Sequence, residues 1–367
     1  MTKLTKSGLN PQDFEATVDE KDVKLFVLTN SNGVEACITN YGGRIVSLMV
    51  PDREGKLTDV ELGHDSIANY LADDGNFGAL IGRYGNRIGN GRFTLDGNEY
   101  TLPINNNGHC LHGGLKGYDK KVWDAKQDGN RLELTLVDPD GTEGFPGTLN
   151  VKVVYTLTDD NAIDIEYSAT TDKPTIVNLT NHSYFNLNGD LASSIHNHVL
   201  RVDADRITPA DETLITDGSF MDVTGTPFDF RTAKPIGQDI NADNEQLKNG
   251  NGYDHSFALN HPGDISNVAL SVMSPVTGIV MEVYTTEPAA QMYTGNFLDE
   301  NLKGKFGVGY PARSAVAFET QHYPTPPTAP SIHRVSYVPA RPTTPAPSTN
   351  SRWRSKHKSL AVYQEEM

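Results

Sequence analysis

The sequence predicts an all-β protein, either a sandwich or a barrel. Short β-branched and aromatic runs alternate with Asn-Gly, Asp-Gly and Pro-Gly pairs, the pattern of antiparallel strands joined by tight turns. Glycine (33) and proline (21) are frequent in the 367 residues. We find no long segment with helical periodicity and no Gly-x-Gly-x-x-Gly motif after a strand. Folds of this class can run as one domain of about 200–250 residues or more.

The strand pattern covers most of the chain. Alternating runs predict strands at residues 24–29, 34–39, 44–50, 93–102, 131–137, 149–157, 162–169, 278–287 and 313–324. Turn pairs at Asn32-Gly33 and Asp96-Gly97 mark two of the hairpins.

Composition divides the chain into three parts. Residues 1–20 form a polar leader for which we expect little order. Residues 21–324 form the domain. Residues 325–367 are rich in proline, contain a basic run and show no alternation that we recognise, so we expect this tail to be disordered.

Charge and cysteine content narrow the class of protein. The formal net charge of -16 argues against nucleic-acid and anionic-membrane partners and favours a small neutral ligand. Cys37 and Cys110 are too few for a disulfide framework and form no Cys-x-x-Cys zinc pair. The amino terminus has no apolar signal region, and no apolar run reaches the roughly 18 residues of a membrane span. We therefore expect a cytoplasmic protein.

The run at residues 175–187 is the first candidate for a site. Alternate side chains of a strand point to opposite faces. One face is polar in an unusual way, carrying Asn178, Thr180, His182, Tyr184 and Asn186. Amide, imidazole and phenol groups donate and accept hydrogen bonds, which suits sugar hydroxyls. The alternative is a polar outer face with an incidental histidine.

Two glycine-rich polar loops are further candidates. Residues 81–93 hold four glycines and three arginines, which also fits a hairpin with solvated arginines. Residues 105–114 contain His109, Cys110 and His112. The two histidines offer only two nitrogens and no obvious third ligand, so we expect no metal site.

Two acidic residues stand out near the carboxyl end of the domain. In the last strand Glu319 shares a face with Ala315 and Ala317, and those small neighbours leave room for a ligand. Asp254 precedes His255 after a long polar loop, where it is either functional or a turn residue.

Six motifs in order resemble the aldose 1-epimerase family and cover about residues 20 to 324. They are Gly-Arg-Tyr-Gly-Asn-Arg-Ile (82–88), Leu-His-Gly-Gly (111–114), Asn-Leu-Thr-Asn-His-Ser-Tyr-Phe-Asn-Leu (178–187), Gly-Tyr-Asp-His (252–255), Gln-Met-Tyr-Thr-Gly-Asn-Phe (291–297) and Glu-Thr-Gln-His-Tyr-Pro (319–324). The resemblance implies a large antiparallel β-sandwich, the galactose mutarotase-like supersandwich. It implies a sugar substrate and no metal or organic cofactor. For the oligomeric state, a monomer and a homodimer both remain open.

The resemblance also implies roles for individual residues. Glu319 matches the general base and His182 the general acid that interconvert the α and β anomers of free aldohexoses such as glucose and galactose. The positions that match the family's sugar-binding residues are Asn86, Arg87, His112, Asp254 and Gln291, and we expect Tyr184 to bind the sugar beside them. Arg83 is then structural. For this acid–base chemistry we expect His182 to be protonated at rest, helped by acidic neighbours, and Glu319 to be ionised.

The tail departs from the family's usual closing strand. Codons for that ending, shifted by one nucleotide, can encode residues 337–344, so a frameshift is one hypothesis for the tail. Three other functions remain open: a hexose-phosphate epimerase, a non-catalytic sugar-binding protein, and a glycoside hydrolase that uses Asp254 and Glu319.

Overall fold

The computed structural model describes residues 3–301 and 303–324, and the backbone of residues 353–364. The strands of the first half are β1 (Ala16–Val18), β2 (Lys21–Val23), β3 (Leu25–Thr29), β4 (Glu35–Thr39), β5 (Arg44–Pro51), β6 (Leu57–Asp59), β7 (Ala79–Ile81), β8 (Arg87–Ile88), β9 (Arg92–Leu95), β10 (Asn98–Thr101), β11 (Cys110–Leu111), β12 (Asp124–Asp128) and β13 (Arg131–Asp138).

The second half continues with β14 (Leu149–Leu157), β15 (Ala162–Thr171), β16 (Thr180–His182), β17 (Tyr184–Phe185), β18 (Val199–Val202), β19 (Ala204–Thr208), β20 (Met221–Asp222), β21 (Lys234–Pro235), β22 (Asp254–Leu259), β23 (Leu270–Met273), β24 (Ile279–Thr285), β25 (Ala289–Tyr293), β26 (Val316–Gln321) and β27 (Trp353–Gln364). The helices α1 (Ile67–Ala72) and α2 (Glu245–Gly250) are short. Turns of 3₁₀ helix lie at Pro11–Phe14, Gly89–Gly91, Tyr118–Lys120, Thr142–Gly144, Ile195–Asn197, Ile236–Gln238 and Lys305–Gly307.

Three sheets carry the fold, and the all-β prediction is confirmed. A nine-stranded sheet has the order β12-β13-β14-β15-β27-β24-β23-β18-β21, a six-stranded sheet β17-β26-β25-β22-β19-β20, and a four-stranded sheet β3-β4-β5-β6. One hydrophobic core includes Leu134 and Met281 of the nine-stranded sheet, Ile38 of the four-stranded sheet, and Met292 and Phe318 of the six-stranded sheet. Period-two alternation therefore turns Gln291 and Glu319 away from this core.

The tail contains a strand that the sequence analysis does not expect. Residues 353–364 form β27, which lies between β15 and β24 and pairs antiparallel with both. Its backbone satisfies hydrogen-bonding groups of two strands that would otherwise be sheet edges. The basic run and the prolines dominate the composition of the tail and hide the apolar positions 360–363. Residues 325–352 and 365–367, including 337–344 of the frameshift hypothesis, lie outside the described residues.

The expectation of little order in residues 1–20 is also wrong from residue 3 onward. Leu9 and Phe14 are fully buried in a cluster with residues of the domain. The backbone N–H of Lys6 donates to Glu35 Oε1 at 2.6 Å, and β1 pairs with β2. Two isolated apolar residues in a polar segment give no periodic signal, although they anchor the segment. No helix in the described part of the chain combines the length and apolarity that crossing a membrane requires.

Candidate active site

A cleft opens on the six-stranded sheet and brings the predicted site residues together, with about 560 Å³ of empty space that includes its opening to solvent. Its lining comprises Asn76, Asn86, Arg87, Asn106, Leu111, His112, His182, Tyr184, Asp254, Tyr293, Phe297 and Glu319. Gln291 is not among these lining residues, but its Nε2 donates to Asp254 Oδ1 at 2.7 Å. Side chains from sequence positions more than 240 residues apart thus meet in one cleft.

Regular strand pairing positions the acidic side of the cleft. Glu319 of β26 lies directly opposite Gln291 of β25, and Gln291 lies opposite Ser256 of β22. Directly opposed residues of an antiparallel pair project from the same face. Asp254 begins β22, two residues before Ser256, and so projects from that face as well.

His182 faces Glu319 across the floor of the cleft. Its Nε2 lies 3.4 Å from Glu319 Oε1, and both side chains are buried. His182 ends β16, which pairs with β7, and Tyr184 begins β17 next to β26. The rings of His182 and Tyr184 lie 4.8 Å apart. A buried imidazole beside a buried carboxylate is an arrangement suited to proton transfer.

The expectation that His182 is protonated at rest is wrong. Burial lowers the pKa of His182 to about 4, and the positive charge of Arg44 acts in the same direction. The neutral form therefore dominates at neutral pH. Loss of hydration outweighs the acidic neighbourhood on which the expectation rested.

The opposite side of the cleft is built from loops with left-handed backbone. Asn86 and His112 have φ values of +62° and +54°. The backbone N–H of Asn86 donates to His112 Nδ1 at 3.1 Å, and Asn86 Oδ1 accepts the backbone N–H of Arg87 at 2.8 Å. Gly113 follows at φ +89°, where a Cβ atom would lie 2.1 Å from the carbonyl oxygen of Gly82. Gly113 of the motif is thus required for the close approach of these two loops.

His112, His182 and Glu319 also resemble a metal-binding set, since one ligand atom from each lies within 4.8 Å of the others. The hydrogen bond from Asn86 argues against that use of His112. Its Nδ1 already accepts an N–H, so in the neutral ring the proton is on Nε2 and neither nitrogen has a free lone pair. Desolvation lowers the pKa of His112 well below its usual value, which keeps the ring neutral. His112 therefore presents an N–H donor to the cleft.

The two arginines of the glycine-rich loop have different environments. Arg83 is buried away from the cleft, where it pairs with Asp138 at 2.8 Å and donates to backbone carbonyls, so its predicted structural role is confirmed. Arg87 lines the cleft and donates from Nε and Nη2 to Asn106 Oδ1. The pKa of Asp254 is raised above its usual value, because the effect of burial exceeds the opposing effects of the Arg87 charge and the hydrogen bond from Gln291.

Comparison with known proteins identifies the family of this chain. The sequence model described as "Aldose 1-epimerase" matches residues 24–339. The chain belongs to the aldose 1-epimerase family. A galactose mutarotase from Bos taurus is 45% identical over 294 residues, which are 80% of this chain and 84% of that protein. An aldose 1-epimerase from Escherichia coli (strain K12) is 40% identical over 313 residues, 85% of this chain and 90% of that protein.

Solved structures extend the family likeness to the fold. The GalM/aldose epimerase homologue from C. elegans superposes with a TM-score of 0.82 and 29% identity, covering 94% of this chain and 100% of that chain. A galactose 1-epimerase from Lactobacillus acidophilus NCFM gives a TM-score of 0.81 and 29% identity, with 96% and 97% covered. The predicted galactose mutarotase-like β-sandwich is confirmed.

Five residues of the cleft were missed by the sequence reasoning: Asn76, Asn106, Leu111, Tyr293 and Phe297. Strand parity could have found Tyr293, because it lies two positions after Gln291 on the same face of β25. Leu111 and Phe297 stand inside quoted family motifs, and Asn106 lies in the second polar loop. We find no comparable signal for Asn76.

Proposed function

We propose that this member of the family interconverts the α and β anomers of free aldohexoses, with Glu319 as general base and His182 as general acid. The observation that carries the proposal is the 3.4 Å approach of His182 Nε2 to Glu319 Oε1 in a cleft lined by hydrogen-bonding side chains. The related proteins named galactose mutarotase and aldose 1-epimerase support the reaction class.

The reaction needs one proton acceptor and one proton donor. Glu319 takes the proton of the C1 hydroxyl, and the electron pair of that O–H bond forms the aldehyde carbonyl. The C1–O5 bond breaks with its pair on O5, and O5 takes a proton from His182. After rotation about C1–C2, the reverse transfers close the ring on the other carbonyl face. Each group contributes on the order of 10²–10⁴ in rate.

Because His182 is neutral at rest, it must gain a proton before it can act as the general acid. Ring opening starts from protonated His182 and ionised Glu319 and ends with the proton on Glu319, so the pair needs one proton in total. Because the pKa of His182 in the free enzyme is about 4, the pair takes up this one proton from solvent after the sugar binds and before the ring opens.

The sugar hydroxyls are then bound by Asn86, Arg87, His112, Tyr184 and Asp254. Gln291 holds Asp254 in place through its hydrogen bond. Arg87 is the one lysine or arginine in the cleft lining of the described residues. A hexose phosphate would call for a cluster of cations. This charge pattern favours an unphosphorylated sugar.

The proposal requires no metal ion and no organic cofactor, since both proton transfers use side chains of the chain itself. We further propose that the protein works in the cytoplasm as a monomer or homodimer and that it binds neither nucleic acid nor membranes. The net charge of -16 supports the last point.

Polarimetry tests the function directly. The optical rotation of freshly dissolved α-D-glucose and α-D-galactose is followed with the wild-type chain and with Glu319→Gln. We expect wild type to accelerate the change in rotation and the variant to lose most of that acceleration. A folded wild-type chain that does not exceed the spontaneous rate for either sugar would overturn the proposal. Release of phenol from an aryl glycoside would instead indicate a glycoside hydrolase.

A further inference from the structure

Arg87 is held in the cleft by a neutral side chain. Its Nε and Nη2 donate to Asn106 Oδ1 at 3.2 and 3.0 Å, so one amide oxygen receives two hydrogen bonds from the guanidinium. Asn106 itself lines the cleft beside Arg87. An oxygen that bonds both nitrogens restricts rotation of the guanidinium about its last torsion.

The charge of Arg87 is not cancelled by a close carboxylate. Among the described residues, no aspartate or glutamate oxygen lies within 4.0 Å of its guanidinium. Asp254 and Glu319 act on it electrostatically, at longer range. An amide partner fixes the direction of the cation and leaves its charge available to oxygen atoms of a ligand. A carboxylate at the same place would form an ion pair and weaken that attraction.

Asn106 is itself fixed by the loop that carries it. Its backbone N–H donates to the carbonyl of His109 at 3.2 Å, and the N–H of His109 donates to the carbonyl of Asn106 at 2.7 Å. His109 is anchored in turn: its Nδ1 accepts the N–H of Asn90, and its Nε2 lies 2.9 Å from Thr213 Oγ1. A rigid turn therefore places the amide against the guanidinium.

We propose that Asn106 is a positioning residue that orients Arg87 towards the sugar and keeps its charge unpaired. The proposal rests on the assigned function of the cleft and deepens it. Asn106 acts through Arg87, so it sets sugar affinity and leaves the proton transfers between Glu319 and His182 unchanged.

A double-mutant cycle tests the dependence on Arg87. The variants are Asn106→Ala, Arg87→Ala and the double variant, each with a melting curve to establish folding. We expect Asn106→Ala to raise KM about tenfold, the effect of losing hydrogen bonds to a charged group, with kcat within about threefold of wild type. In the Arg87→Ala background the same change has no further effect, because its target is absent.

Introducing a negative charge at Asn106 tests the importance of the neutral amide. Asn106→Asp retains both hydrogen bonds and introduces a carboxylate, so we expect KM to rise although Arg87 stays in place. Asn107→Asp is the matched control, because it adds the same charge to an exposed neighbouring residue. Calorimetric titration with glucose and galactose analogues that lack the anomeric hydroxyl measures affinity independently of turnover. We expect Asn106→Asp, and not Asn107→Asp, to weaken that binding.

Three outcomes would overturn the inference about Asn106. They are an unchanged KM in Asn106→Ala, an equal effect of this change with and without Arg87, and wild-type affinity in Asn106→Asp. Wild-type mutarotation separates this failure from failure of the proposed function, since the inference is overturned only when the wild-type chain is active.

Discussion

The two sides of the cleft are built in different ways. The strand side, consisting of Asp254, Gln291 and Glu319, projects from three adjacent strands in regular antiparallel register. The loop side, consisting of Asn86, Arg87 and His112, rests on left-handed residues and on hydrogen bonds between side chains and backbone.

This difference determines whether a substitution changes the chemical group alone or also the position of the backbone that carries it. On the strand side the backbone ladder holds each position whatever the side chain is, so a substitution there changes mainly the chemistry. On the loop side the side chains help to shape the backbone that carries them, so a substitution moves its neighbours as well. We therefore expect a change at Glu319, the proposed base of the strand side, to lower kcat, and loop-side variants to lose affinity or stability.

The largest effect is expected on the strand side. Glu319→Gln retains the shape of the side chain and removes the base, so kcat falls about 10²–10⁴-fold while KM and the melting temperature change little. Stopped-flow polarimetry with thermal melts measures both quantities. Glu166→Gln, an exposed substitution in β15, is the control. A kcat within tenfold of wild type would show that Glu319 is not the base.

The buried imidazole of His182 makes the floor of the cleft sensitive to acid. Its pKa is about 4 in the folded protein against 6.5 for an exposed histidine, so the unfolded chain binds the extra proton first as pH falls. The stability that this group contributes is complete above pH 6.5 and is lost between pH 6.5 and about 4. The loss for one such group is on the order of 3 kcal/mol.

Urea unfolding of wild type and His182→Asn at about pH 7 and about pH 4.5 measures this contribution. We expect the variant to lose less free energy of unfolding between the two conditions. His198 and His255, whose pKa values burial lowers to about 3, are unchanged in both proteins and so cancel in the difference. An equal loss in the two proteins would contradict the neutral state of His182.

We expect the loop side to be sensitive to a single methyl group added at Gly113. Gly113→Ala combines a left-handed φ with a contact of 2.1 Å to the carbonyl of Gly82, so the 82–88 loop must shift. We expect a loss of about 2–3 kcal/mol in stability together with a higher KM. Gly97→Ala is the matched control, since its φ is +80° and nothing lies within 4 Å of the added Cβ. Equal losses of unfolding free energy in the two variants would mean that the close approach of the loops does not contribute to stability.

The same difference explains what the sequence alone could predict. Glu319 follows from strand parity, because Ala315 and Ala317 mark an open face, and His182 follows from the alternation of its own run. The orientation of Arg87 and the tautomer of His112 depend on positive φ values and single hydrogen bonds, which no periodicity encodes. Those residues could be chosen only through the family resemblance.

Two other errors have physical causes that composition hides. The pKa of His182 was misjudged because neighbouring acids are visible in the sequence whereas the extent of burial is not. Strand β27 was missed because its place is fixed by two long-range partners, β15 and β24, and not by its own amino-acid content.

The smallest effect is expected at Asn86, where two substitutions distinguish backbone strain from loss of the side-chain contact. This residue has φ +62°, and its Oδ1 accepts the N–H of Arg87. Asn86→Gly retains the left-handed backbone and removes only the hydrogen bond and any contact with the sugar, whereas Asn86→Ala adds the strain of a Cβ in that conformation. Because Asn86→Gly also loosens the unfolded chain, we expect only about 1 kcal/mol of extra instability in Asn86→Ala and similar KM values in both variants. Urea unfolding and polarimetry measure the two quantities, and a clearly lower KM in Asn86→Gly would mean that the backbone, rather than the amide, governs sugar binding on the loop side.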